Sequence, residues 1–447
     1  MLFLPDQDVT VAVVGFGYVG SCIAATLADR GLDVVGVDTD ARLIEELNAG
    51  HCRFQEEGLA DILFRGLAAE RLRVTTDYAE IGSADVVIVA VGTPVREDGS
   101  LADEQLRSAC SELSGHVREG QLFVLKSTSP PGTTRDLVLP LLEQSGLTGG
   151  VHFGLAFTPE RFAEGNALRE LSTFPILAGG LNANSAAAAA EFWRRMLGVR
   201  AIPLDSLEAA EIVKLADNWW IDVNIALANE LAKFCSLYGV DVLDVISAAN
   251  TISKGSGNVN ILLPSVGVGG SCLTKDPWMV WRSAHQRGLE ILTASTCREV
   301  NSAMPEYTAQ LALDDLAELG KHPESVKVAV LGLAFKNNTG DLRATPTKGT
   351  IAALTKAGAE VRIFDPLVDA TEAERVFGIK PSRSVEDAVR NADCVAILAL
   401  HRDLERIDFA ALPVAPKCLV LDGRAYYSKE KIESLRDLGY LYRGIGR

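Results

Sequence analysis

With 447 residues, 48% of them hydrophobic and 23% charged, the chain is long enough for two or three domains around a sizeable buried core. Its formal net charge of −16 at pH 7 excludes general binding to nucleic acid, which needs an electropositive surface. No apolar run reaches the roughly 18–20 residues that cross a bilayer. The N-terminal MLFLPDQDVTVAVVG has no basic region and no small-residue cleavage site, so a cytoplasmic protein with no leader and no membrane partner is expected.

The first segment alternates β-rich and helical runs. A strand at Val9–Val14 enters GFGYVG (Gly15–Gly20), then a helix stopped at Gly31, then the strand DVVGVD. Further strand-like runs lie at 84–92, 122–128 and 152–157, with helical stretches such as 103–116 and 134–145 between them. That alternation predicts a doubly wound parallel sheet, in a domain bounded at 1–205. Residues 206–250 contain no proline and one glycine, Gly239, with Ser206 and Glu208 marking a helix start. From Ala209 to Phe234 apolar residues cover nearly the whole circumference, so this helix is enclosed by other domains or by a partner subunit. Residues 206–300 therefore read as a central long-helix dimerisation segment, and a homodimer is expected. Strands at 326–335, 392–400 and 418–424, with a helix, a Gly358 stop and a strand over 348–366, predict a second Rossmann-like domain within 301–447. VTVAVVG and VKVAVLG are near copies, but the second carries FKNNTGDLR in place of G-x-G-x-x-G, so the two α/β domains differ in ligand chemistry.

GFGYVG sits between a strand and a helix, where a dinucleotide fingerprint belongs. Gly15 permits the tight turn, Gly17 admits the pyrophosphate, and Gly20 lets the helix pack on the sheet. Asp38 ends the next strand, where a carboxylate bonds ribose hydroxyls and repels a 2′-phosphate. That favours NAD over NADP, with Arg42 nearby softening the preference. VGTPVREDGS and KSTSPPGTT end strands where such sheets bind ligands. In GVGVGGSCLTKDP, Gly267, Gly269 and Gly270 free the backbone to approach a substrate, and Cys272 follows with Lys275 and Asp276 beside it. A thiol needs nearby cations or hydrogen bonds to act as a thiolate, and Lys275 and Lys214 are candidates. Lys214 and Asn218, four apart, share a helix face. The eight cysteines (Cys22, Cys52, Cys110, Cys235, Cys272, Cys297, Cys394 and Cys418) form no C-x-x-C pair and the six histidines show no ligand spacing, so neither a metal site nor a disulfide frame is expected.

These blocks, together with TPERFAEGNALREL, EIVKLADNWW, LAFKNNTGDLRATPT, FDP and LDGR, resemble the UDP-glucose/GDP-mannose dehydrogenase superfamily over nearly the whole length. TPER with EGNALREL, and GVGGSCLTKDP, look like its UDP-N-acetylhexosamine branch, with Arg161 where UDP-glucose enzymes tend to have a bulky apolar residue. UDP-glucose, GDP-mannose or a single two-electron oxidation of a modified nucleotide sugar remain alternatives. The resemblance implies NAD-dependent four-electron oxidation of a C6 hydroxymethyl to a carboxylate through a thiohemiacetal and thioester on Cys272. Lys214 and Asn218 would stabilise oxyanions. Asp276 and Glu160 would handle protons or water, with Thr128 helping to hold that water. By the same carry-over Tyr18, Val19, Val91, Gly92, Thr93, Thr128, Glu164, Lys275 and Arg343 line the NAD site. Arg161, Phe162, Phe335, Lys336 and Arg424 join the substrate site with Glu160, Lys214, Asn218 and the loop glycines.

Two features depart from the family pattern. It usually has an arginine shortly before the glycine–cysteine loop, supplied by the neighbouring subunit; here residues 251–271 hold no arginine, and Lys254 is the one cation. The loop also begins PSVGVGG rather than PGPGVGG. Two rivals exist. A two-electron dehydrogenase of the related 6-phosphogluconate type needs neither the cysteine nor a C-terminal nucleotide domain, so FKNNTGDLR and LDGR argue against it. A non-enzymatic nucleotide-sugar binder predicts loss of catalytic groups, and all are present.

Overall fold

The computed structural model describes residue 4 and residues 9–96, 98–255 and 257–447; part of the N-terminal stretch read as leaderless lies outside them. The chain divides into two units, one of residues 1–217 with 282–289 and one of residues 218–281 with 290–447.

The first unit is built on eight strands: β1 (Thr10–Val14), β2 (Asp33–Val37), β3 (Leu72–Thr75), β4 (Val86–Val89), β5 (Leu122–Leu125), β6 (Gly154–Phe157), β7 (Ile176–Gly180) and β8 (Ala201–Leu204). They lie in the order β3-β2-β1-β4-β5-β6-β7-β8. Alternation of side chains sends Val11 and Val13 into one core with Ile23, Leu27 and Trp193. It sends Ala12 and Val14 into another with Leu106 and Phe123. Both faces are covered, as a doubly wound sheet requires. The order reverses between β1 and β4, and in such sheets ligands bind at that switch point. β7 runs antiparallel to β6, with Phe157 opposite Gly179, so the sheet is mixed at this one junction. The alternation of elements does not report strand direction, because either direction buries the same residues. The expected helix over 134–145 is a composite of a π-turn (Thr134–Val138), an α-turn (Leu139–Leu142) and a 3-10 turn (Glu143–Ser145). Pro140 has no N–H to give to a regular ladder.

The helix Leu207–Ser236 passes from the first unit's residues into the second's. Ser206 Oγ accepts from Ala209 N at 3.1 Å, satisfying one of the N–H groups orphaned at a helix start. The apolar circumference is not fully enclosed within one chain: Trp220, Leu227 and Phe234 are 51%, 51% and 56% exposed.

The second unit carries a short hairpin, β9 (Ser253–Lys254) with β10 (Gly257–Asn258), and a parallel sheet of β11 (Lys327–Leu331), β12 (Glu360–Phe364), β13 (Cys394–Ile397), β14 (Leu419–Asp422) and β15 (Leu441–Gly444). Its order is β12-β11-β13-β14-β15, a Rossmann-like arrangement whose switch point lies between β11 and β13. No helix among the described residues is long and apolar enough to cross a membrane.

Candidate active site

Each glycine of GFGYVG has a separate task. Gly15 has φ of +89°, and a Cβ there would lie 2.7 Å from Val91 N. A Cβ on Gly20 would lie 2.0 Å from Gly15 O, so the helix leaves the turn this closely only without a side chain. Gly17 has nothing within 4 Å of the same position, which leaves its backbone open to a ligand. The helix Tyr18–Asp29 begins there without a side-chain cap, so its first N–H groups point at an anion site. A cavity of about 510 Å³ lies over the turn, lined by Gly15, Gly17, Asp38, Tyr78, Val91, Gly92 and Gln105 among others.

Asp38 does more than present a carboxylate. Its Oδ2 accepts from Phe16 N at 2.7 Å and its Oδ1 from Asp40 N at 2.9 Å, tying the glycine turn to the end of β2. Asp38 and Asp40 both line the cavity, an acidic wall that disfavours a ribose 2′-phosphate. These features fit a bound NAD. Thr93 is buried and Thr128 half-buried where β4 and β5 end. Tyr18 and Val19, also expected at the cofactor, open the helix at this turn. The Tyr18 hydroxyl donates to Glu56, with its ring edge-on to Phe54 at 6.4 Å. Val19 packs against the core, and Arg42 is exposed on the Ala41–Asn48 helix.

Glu160 follows β6. Its Oε2 lies 3.6 Å from Lys214 Nζ, and both side chains are nearly buried. Arg161 is anchored to Asp217 at 2.8 Å, Phe162 packs on the core, and Glu164 is half-buried. Two residues that motif reading passed over sit among these. Lys126, at the end of β5, is 3% exposed and places Nζ 4.7 Å from the centre of the Trp193 ring. Burial lowers its pKa to about 8, with the charges of Glu160 and Lys214 acting in opposite directions. Glu211 is fully buried and accepts from Gly132 N at 2.6 Å, Thr134 N at 2.8 Å and Thr134 Oγ1 at 2.6 Å, so it pins the SPPGTT turn to the long helix. Burial raises its pKa to about 7 against the pull of those bonds. An acid one turn before Lys214, in a stretch rich in apolar residues, was the available signal.

In the second unit Cys272 is exposed, and the other seven cysteines are buried or half-buried. Burial raises the pKa of all seven. The Cys272 carbonyl accepts from Lys275 N at 3.1 Å and Asp276 N at 2.9 Å, so the thiol stands one turn ahead of the Asp276–His285 helix. Asp276 has no exposed surface; its Oδ2 accepts from Asn218 and its Oδ1 from Lys275 Nζ at 2.6 Å. The expectation that the loop glycines make room for substrate needs a physical addition. A Cβ on Gly269 would lie 2.4 Å from Phe335 Cβ, on Gly270 2.8 Å from the Phe335 ring and on Gly267 2.9 Å from Pro346. The room a side chain would take is filled by this unit's own residues, and the glycines let the loop pass over them.

That packing brings the loop beside the second nucleotide-type turn. Gly270 N donates to Arg343 O at 3.0 Å and Val266 N to Gly423 O at 2.7 Å. Arg424 donates to the Phe335 carbonyl, and Lys336 follows half-buried. The Arg343 side chain is exposed and forks onto Asp341 at 2.8 and 3.0 Å. Below the turn, Asp365 of the FDP block accepts from Leu333 N at 2.6 Å and pairs with His401 Nε2 at 2.9 Å. His401 Nδ1 accepts from Asn338 N at 2.8 Å, which puts the ring proton on Nε2. The departure at PSVGVGG is also accounted for: Ser265 N donates to Asn229 at 2.8 Å, and its Oγ donates to Gly267 O at 2.9 Å.

A glycine turn open at Gly17, an acid at the end of β2 and a cavity at the switch point define a dehydrogenase of the Rossmann class. Three models of the UDP-glucose/GDP-mannose dehydrogenase family match in register: its NAD binding domain over residues 9–197, its central domain over 208–303 and its UDP binding domain over 329–429. The UDP-N-acetyl-D-mannosamine dehydrogenase of Pyrococcus horikoshii is 32% identical over 98% of this chain and 99% of its own. The UDP-glucose 6-dehydrogenase of Haloferax volcanii is 34% identical over 94% and 98%. Among solved structures, the UDP-D-ManNAc dehydrogenase of P. horikoshii has a TM-score of 0.88 at 32% identity, covering 98% of this chain and 99% of that one. The UDP-glucose dehydrogenase of Pyrobaculum islandicum has 0.85 at 29% identity, covering 99% of each. The chain belongs to the UDP-glucose/GDP-mannose dehydrogenase family, and it is an NAD-dependent nucleotide-sugar dehydrogenase.

Proposed function

We propose that the chain oxidises the C6 hydroxymethyl of a UDP-N-acetylhexosamine to the uronate in two two-electron steps, holding the intermediate on Cys272. The observation that carries the reading is the exposure of this thiol, against seven others that burial keeps inert. Bound NAD supplies the hydride acceptor for both oxidations. The thiolate adds to the C6 aldehyde and forms a C–S bond. Lys214 and Asn218 stabilise the resulting oxyanion, work worth about 3 kcal/mol per donor. After the second oxidation, water adds to the thioester carbonyl, the C–S bond breaks and the thiolate leaves. Glu160 takes the proton of that water, Thr128 helps to hold it, and Asp276 positions Asn218 and Lys275.

The acetylhexosamine preference is supported by Arg161 and by relatives named as UDP-N-acetyl-D-mannosamine dehydrogenases. A UDP-glucose reading is favoured by the Haloferax relative. Assignment of NAD binding to residues 1–205, dimerisation to 206–300 and nucleotide-sugar binding to 301–447 belongs to the same reading. So does a homodimer: Trp220, Leu227 and Phe234 recur every seven residues along one exposed helix face, an apolar stripe that water disfavours. NADH release measured over UDP-ManNAc, UDP-GlcNAc, UDP-glucose and GDP-mannose tests the substrate. Turnover fastest with an acetylated sugar is expected; turnover with UDP-glucose alone contradicts it.

A further inference from the structure

In the second unit the Leu207–Ser236 and Leu292–Glu318 helices meet over a row of polar side chains that the reaction as described does not use. Asp222 and Asn229 lie seven apart, two turns, on the first helix, and Arg298 and Asn301 lie three apart on the second. All four are buried. Arg298 donates to Asp222 Oδ1 at 2.6 Å. Asn301 Nδ2 donates to the same oxygen at 2.8 Å and to the Asp222 carbonyl at 3.0 Å. Asn301 Oδ1 accepts from Asn229 Nδ2 at 2.9 Å. Asn229 Oδ1 then accepts from Ser265 N at 2.8 Å, from 36 residues away in sequence.

The row has a direction. An ionised carboxylate only accepts, so Asp222 turns the Asn301 amide nitrogen toward itself and the Asn301 oxygen away. That oxygen takes the Asn229 nitrogen, which leaves the Asn229 oxygen facing the loop. Ser265 N is a donor, so both ends of the row demand the same setting of both amides. The Arg298 guanidinium favours the ionised form of Asp222 against the burial that raises its pKa. A buried ion pair contributes little net stability, but it can select one arrangement of its neighbours.

Ser265 opens the loop that leads to Cys272. Its Oγ donates to Gly267 O at 2.9 Å, Val266 N donates to Gly423 O at 2.7 Å, and Gly270 N to Arg343 O at 3.0 Å. The chain between these ties is rich in glycine, which restricts its own path least, so the anchors set where the loop runs. We propose that Asn229 is a positioning residue for the oxidation: the Asp222 charge sets Asn301, Asn301 sets Asn229, and Asn229 fixes the entry of the loop that presents Cys272 to the nucleotide sugar. This rests on the reading of Cys272 above. Both asparagines act through the loop, and both belong to the second unit, whereas the cofactor turn belongs to the first.

The test compares Asn229→Leu, Asn301→Leu, the double variant and Leu435→Ala with the wild type. It uses steady-state kinetics with the fastest of the four nucleotide sugars above, NAD titration and thermal unfolding. Leucine has nearly the shape of asparagine and removes its hydrogen bonds. For Asn229→Leu, kcat/KM for the nucleotide sugar falls at least about tenfold while the NAD dissociation constant stays within about twofold. Asn301→Leu lowers kcat/KM about threefold, and the double variant is no worse than Asn229→Leu, because the two residues act in one row. Leu435→Ala opens a cavity in the other core of the same unit; it lowers the melting point and leaves kcat/KM and NAD affinity within about twofold. Should leucine at 229 prevent folding, Asn229→Ser, too short to reach Ser265, carries the same expectation. Unchanged kcat/KM in the Asn229 variant, an equal loss in Leu435→Ala, NAD affinity lost in step, or multiplying effects in the double variant overturns the proposal. Full uronate production by Cys272→Ala overturns the reading of the thiol and this inference together; an inactive Cys272→Ala beside an unaffected Asn229→Leu overturns this inference alone.

Discussion

Asn218 donates its side-chain amide to Asp276, a carboxylate with no exposed surface that lies 58 residues further along the chain. Asp276 also holds the Lys275 ammonium at 2.6 Å, so one buried acid orients two groups around the cysteine loop. Replacing Asp276 by Asn removes the charge and leaves Lys275 without its counter-ion. We expect kcat to fall about 10²–10³-fold with KM little changed, the pattern of an interaction made in the transition state. Steady-state kinetics on the purified variant checks this; a pure KM effect contradicts it.

The acidic wall of Asp38 and Asp40 is expected to set the cofactor preference. Asp38→Ala is expected to weaken NAD, because it frees Phe16 N as well as losing a ribose acceptor. Asp38→Ser with Asp40→Ala is expected to narrow the NAD over NADP preference by about tenfold, through removal of repulsion against a 2′-phosphate. Dissociation constants for the two cofactors measure it.

Glu211 predicts a pH-dependent loss. Its folded pKa is raised to about 7 from an ordinary 4.5, so the native state binds the extra proton between those values. The stability it contributes is fully present below pH 4.5 and is lost as pH rises through 7. Glu211→Ala also leaves Gly132 N, Thr134 N and Thr134 Oγ1 without their acceptor. We expect a destabilisation of about 2–4 kcal/mol near pH 5 that shrinks by pH 8. Denaturant unfolding of both proteins across that range reads it; a penalty that grows with pH contradicts the sign.

Asp365 and His401 predict an effect on nucleotide-sugar affinity without contact to it. Asp365→Ala releases Leu333 N and the His401 ring from beneath the Phe335–Lys336 turn. KM for the nucleotide sugar should rise about tenfold while NAD affinity is unchanged, which isothermal titration with each ligand separates.

The parts legible in the sequence are those where chemistry is local. GFGYVG followed by Asp38 carries its own mechanism: left-handed backbone at Gly15, no room at Gly20, open backbone at Gly17. Ser206 as a helix cap and the switch of periodicity at residue 206 are local as well. What stayed hidden depends on distant pairing. Glu211 meets its turn from 77 residues away in sequence, and Asp365 meets His401 from 36. The antiparallel β6–β7 step leaves the burial pattern of each strand unchanged, so nothing in either strand announces it. Lys126 was visible only as part of KSTSPPGTT; its enclosure comes from Trp193, on the distant Ala183–Leu197 helix.

The central claim is that Cys272 carries the sugar between two oxidations. Counting NADH against carboxylate for the wild type and Cys272→Ala measures it directly. Two NADH per uronate in the wild type, and NAD binding without uronate in Cys272→Ala, are predicted. Full uronate production by Cys272→Ala, or one NADH per product in the wild type, contradicts the account.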